Sequence, residues 1–67
     1  MNYYALKKNL AIDTEKYLLR CQEGTAETLE DFKLEMLKRY GASDKMILKT
    51  IEKFGLTIKD DKLVKKC

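Results

Sequence analysis

Between Gly41 and Gly55 the apolar and charged positions separate with helical geometry. At about 100° per residue, Ile47, Ile51 and Phe54 fall on one side, with Leu48 at its margin. Lys45, Lys49 and Lys53 fall on the other, four positions apart, with Met46 beside them. Ser43 is placed to cap the free amides of the first turn, and Gly55 to end the helix in the left-handed conformation. The pattern predicts a helix over 44–54 with an apolar face toward a core and a row of ammonium groups facing outward.

A second helix is predicted over 29–40, where Leu29, Phe32, Met36 and Tyr40 are spaced as a core stripe. Leu37 widens that stripe and Leu34 points elsewhere. Thr28 followed by Asp31 has the form of a capping box, with acidic residues early and Lys38 and Arg39 late, as the helix dipole favours. Toward the N-terminus, Tyr3, Leu6, Leu10, Tyr17 and Cys21 keep to one helical stripe, but Asp13 interrupts it. Asp13 or Thr14 reads as an N-cap, so the well-packed part of the first helix is expected over 14–23. A separate helical turn or a short strand is expected before it.

After Gly55 the period changes from helical to alternating. Leu56-Thr57-Ile58-Lys59 and Lys62-Leu63-Val64-Lys65 flank Asp60-Asp61 and read as a hairpin with a two-residue turn. Ile58 then faces Leu63 and Leu56 faces Lys65 on the inner side. Lys59 and Lys62 become cross-strand neighbours of like charge on the outer side, which is unfavourable unless an anion lies close. Asp60 and Asp61 supply part of that compensation, and they argue against the tip itself lying on phosphate. The expected architecture is mainly α with a small C-terminal β-hairpin, α-α-α-β-β, in one domain over 1–67.

Composition narrows the function. A chain of 67 residues builds one small core, too little for a loop-lined enzyme cleft. It has no His, no glycine-rich phosphate loop, and no Ser or Cys beside an evident base, so no catalytic activity is expected. The formal charge is +3, and residues 28–67 carry all of it. No apolar run approaches the ~20 residues that span a bilayer, and the N-terminus lacks the order of a signal peptide, so a cytoplasmic protein is expected. Cys21 and Cys67 lie too far apart for a zinc pattern. They read as two free thiols, or as a disulfide if the source is a hyperthermophile, which the Lys/Glu-rich, proline-free composition would suit.

Three helices, a tight turn before the third and a terminal hairpin form an order with a known counterpart. On Met36, Tyr40, Gly41, Ala42, Ile47 and Ile51, which set apolar residues around a turn glycine, the chain resembles the winged helix-turn-helix family of DNA-binding domains. The likeness is to the compact type common in archaea, their viruses and plasmids. It implies double-stranded DNA as partner and transcription regulation as role, with DNA contacts from Ser43, Lys45, Met46, Lys49 and Lys53. The hairpin wing would add Lys59 and Lys62. Leu37 departs from the family, which prefers a small residue four positions before the turn glycine, and implies a wider or tilted helix crossing. A homodimer is compatible with this reading, with Tyr3, Tyr4 and Leu34 as exposed candidates for the contact. No cofactor, metal or small-molecule ligand is implied. The alternative is a protein-interaction module using the same fold without DNA, and the lysine row is then a solvated face. RNA fits less well, since no paired aromatics lie on a strand for base stacking.

Overall fold

The computed structural model describes residues 3–66. Three helices, α1 (Tyr3–Glu23), α2 (Leu29–Tyr40) and α3 (Asp44–Lys53), precede a two-stranded antiparallel hairpin of β1 (Leu56–Lys59) and β2 (Lys62–Lys65). The α-α-α-β-β order is the expected one. Among the described residues no helix is long and apolar enough to cross a membrane.

The expected caps of α2 and α3 form. Thr28 accepts a hydrogen bond from the Asp31 amide at the start of α2, and Ser43 accepts one from the Met46 amide at the start of α3. At the end of α2, Gly41 takes φ +68° while its amide donates to Leu37 O and the Ala42 amide to Met36 O. That pair of bonds closes the helix and turns the chain sharply into α3. α3 ends at Lys53, one residue short of the expected bound; Phe54, expected on its apolar face, is the exposed C-cap, and Gly55 follows with φ +68°. Asp60 and Asp61 both have positive φ, the geometry of a two-residue turn whose twist matches the strands, and the register pairs Leu56 with Lys65, Ile58 with Leu63 and Lys59 with Lys62.

The core is one cluster in which every element takes part. Tyr17 of α1 is fully buried and stacks on Phe32 of α2 at 4.3 Å between ring centroids. Leu10, Leu18, Leu29, Met36, Ala42, Ile47, Ile51, Leu56 and Leu63 surround that pair. Among the described residues, no buried side-chain nitrogen or oxygen lacks a hydrogen-bond partner. The Tyr17 hydroxyl donates to Glu27 O at 2.7 Å, and burial together with the Cys21 thiol pushes its pKa well above the ordinary phenol value. Cys21 is half-buried beside the core; Cys67 lies outside the described residues.

Three further expectations are corrected. The first helix does not begin near Thr14 but runs unbroken from Tyr3 for 21 residues. Neither Asp13 nor Thr14 is a cap. Thr14 is buried and donates its hydroxyl back to Leu10 O at 2.7 Å, and the Asp13 carboxylate accepts a 2.5 Å bond from the Tyr40 hydroxyl and one from Arg39. Both polar groups are satisfied inside the helix stack, so the stripe is not interrupted. Second, Leu37 does not widen the core stripe: it is 53% exposed and points away from the packed side of α2. Third, Ile58 is on the inner face of the hairpin in register but 43% exposed in fact, because the helices cover the hairpin along β2 and β1 is exposed beyond Leu56.

Candidate nucleic-acid interface

The apolar side of α3 is held by Ile47 and Ile51, both buried, which fixes the rotation of the helix about its axis. That rotation leaves Lys45 and Lys49 exposed on the outer side, with Lys53 exposed at its edge and Met46 half-buried. These four side chains line one groove of about 360 Å³ between α3 and the first turns of α1. Thr50 and Leu10 also line it, and the Thr50 hydroxyl is engaged by Met46 O at 2.9 Å. The opposite wall carries Tyr3 and Lys7, with the Lys7 ammonium 5.4 Å from the centre of the Tyr3 ring.

A second groove of about 320 Å³ continues from the first, sharing Lys7, Thr50 and Lys53 and adding Tyr4 and Lys8. Lys7, Lys8, Lys45, Lys49 and Lys53 thus line one continuous surface, and no carboxylate lines either groove. Among the described residues none of these lysines forms an ion pair. The two arginines are used otherwise. Arg20 pairs with Glu27 at 3.2 Å, and Arg39 with Glu35 at 2.8 Å and Asp13 at 3.4 Å, tying helices and loops together. Structural ion pairing and the outward lysine surface therefore draw on different residues.

The other implied contacts lie elsewhere. Ser43 lines a separate groove at the start of α3 with Lys33, Leu37, Asp44 and Asp61. Lys59 and Lys62 face each other at the last strand pair before the tip, Lys59 exposed and Lys62 half-buried, and they line neither lysine groove. The tip is not free, because the Leu29 amide at the start of α2 donates to Asp61 O at 2.6 Å.

Reading the sequence missed Lys7, Lys8 and Tyr3 as members of this surface. The available signal was the helical spacing of Tyr3, Lys7, Leu10 and Thr14, which is continuous once Thr14 is allowed to be buried. No protein-family model, no curated protein and no solved structure matches this chain, so the reading of the surface rests on its own residues.

Proposed function

We propose that this chain is a winged helix-turn-helix protein that binds double-stranded DNA by presenting α3 to the major groove. The observation that carries the proposal is the row Lys45, Lys49 and Lys53 on the outer side of a helix whose other side is buried, with no carboxylate lining its groove. A helix held in this way fits the ~12 Å major groove, and unpaired ammonium groups gain most by displacing counterions from phosphate. Ser43, Met46 and the lysine stems are then the groups nearest to base edges, with Lys59 and Lys62 available to flanking backbone. The role is a non-catalytic transcriptional regulator, acting in the cytoplasm without a cofactor.

The test is a titration with a duplex at two salt concentrations, a random duplex serving as competitor. Replacing Lys45, Lys49 and Lys53 with Gln is expected to preserve the circular dichroism spectrum. It lowers the salt slope by about 3 of the contacts it reports, each worth roughly 0.9 in log–log units. A folded triple variant that binds as tightly as the parent would refute the surface.

A second reading, contact with another copy of the chain, is favoured by one observation. Ile12, Leu19 and Phe54 are exposed and line the groove between α1 and the hairpin, which also carries Lys16, Lys65 and Lys66 and meets the lysine surface at Phe54. A homodimer formed there would cover Phe54 at the rim of the lysine surface and bring two copies of α3 into one assembly, as paired half-sites require. Sedimentation equilibrium of the parent against Leu19→Glu measures it, with a monomeric parent counting against this contact. An apolar interface persists in salt that dissolves the DNA complex.

A further inference from the structure

We infer that, given the DNA-binding reading above on which this rests, the second grip on the duplex backbone is made by the first turns of α1, through Lys7 and Lys8, and not by the hairpin. Three observations carry it. The first is the rotation of α3. Its rows Asp44–Leu48–Glu52 and Lys45–Lys49–Lys53 are one position out of step, about 100° apart around the helix. The lysine row shares its groove with Tyr3 and Lys7 of α1 and no carboxylate, whereas Asp44 shares its groove with Asp61, Glu30 and a single lysine, Lys33. The positive side of α3 is therefore the side against α1, and carboxylates collect toward the hairpin tip.

The second observation is what holds each flank in place. Lys7 and Lys8 project from a helix that continues into the core through Leu10 and Thr14, so their position relative to α3 is set by packing. The Asp60–Asp61 tip is bonded through Asp61 O to the α2 amide of Leu29, and its two carboxylates sit next in sequence to Lys59 and Lys62. A phosphate approaching the hairpin lysines meets those carboxylates as well. The third is spacing. Packed helices lie about 8–10 Å apart, and the edge of a ~12 Å groove lies about 6 Å from its centre. With α3 along the groove, a neighbouring helix stands over the phosphate ridge, within the reach of lysine side chains.

Two backbone contacts from α1 add roughly 1.8 to the magnitude of the salt slope, and their loss lowers affinity by an order of tenfold near 0.1 M salt. The experiment compares duplex binding at several salt concentrations for the full chain, Lys7→Gln/Lys8→Gln, Lys59→Gln/Lys62→Gln, and Lys7→Arg/Lys8→Arg, each checked for folding by thermal melt. The two Gln pairs remove the same charge, so a contact is separated from a general change in field. Support is a loss of slope and affinity in the α1 Gln pair, retention in the Arg pair, and a smaller loss in the hairpin pair. An α1 pair that matches the parent, or two Gln pairs with equal losses, overturns the inference and leaves the α3 reading standing if Lys45→Gln/Lys49→Gln/Lys53→Gln still weakens binding. A parent that shows no salt-dependent binding to duplex removes the α3 reading itself, and this inference with it.

Discussion

Asp13 ties two helices together through its side chain. Its carboxylate takes the Tyr40 hydroxyl at 2.5 Å and Arg39 at 3.4 Å, joining the middle of α1 to the end of α2 at the point where the chain turns toward α3. The bond to Asp13, with burial second, raises the Tyr40 pKa above its ordinary value. Burial does the same for Tyr17. In both cases the fold favours the neutral phenol. The stability so gained is intact below the unfolded phenol pKa of about 10 and is lost as pH rises from there toward the folded values. Tyr40→Phe is expected to cost roughly 1 kcal/mol at neutral pH, since Asp13 keeps Arg39 as a partner. Thermal melts at pH 7 and above pH 10 measure both effects, and the gap between parent and variant should narrow at the higher pH.

At the scale of elements, the turn between α2 and α3 sets where the lysine row points. Gly41 has φ +68° and nothing within 4 Å of where a Cβ would stand, so Gly41→Ala meets only the backbone penalty, about 1 kcal/mol. Ser43→Ala removes the α3 cap for a similar cost of about 1 kcal/mol. Urea unfolding of the two single variants and the double measures both costs and any coupling between positions only two apart in one turn. These elements were legible in the sequence because their signals are local. Thr28, Gly41, Ser43 and Gly55 act on amides and carbonyls within a few positions, and the Asp60-Asp61 turn alone sets the strand register. The start of α1 was not legible for the opposite reason. The partner of Asp13 is 27 positions away, and nothing near Asp13 in sequence distinguishes a carboxylate bonded to Tyr40 from one capping a helix. That misreading also hid Lys7 and Lys8 from the lysine surface, since a separate turn or strand there had no defined direction. Leu37 and Ile58 were misplaced because periodicity assigns a face to a residue but not whether another element covers that face.

Across the whole molecule, charge is sorted by location more than by chain segment. Residues 1–27 are neutral in sum, yet two of their lysines join three from the C-terminal half on one surface. Like charges four apart on a helix cost about 0.2–0.5 kcal/mol per pair, and salt screens them. Lys45→Gln/Lys49→Gln/Lys53→Gln should therefore melt slightly above the parent at low ionic strength, with the difference closing near molar salt. A parent that is already the more stable at low salt would mean those ammonium groups have compensating partners. The long dimension of 32 Å matches the roughly 31 Å expected for α1 at 1.5 Å per residue, so this helix runs the length of the protein. One of its ends walls the lysine surface and the other walls the groove of Ile12, Leu19 and Phe54. The bond from the Leu29 amide to Asp61 O gives this arrangement a built-in reporter. The first amides of a helix ordinarily exchange their protons with solvent quickly, having no acceptor within the helix. At Leu29 the acceptor belongs to the C-terminal hairpin, so slow deuterium uptake at that single position marks the hairpin as seated, and rapid uptake marks it as lifted away.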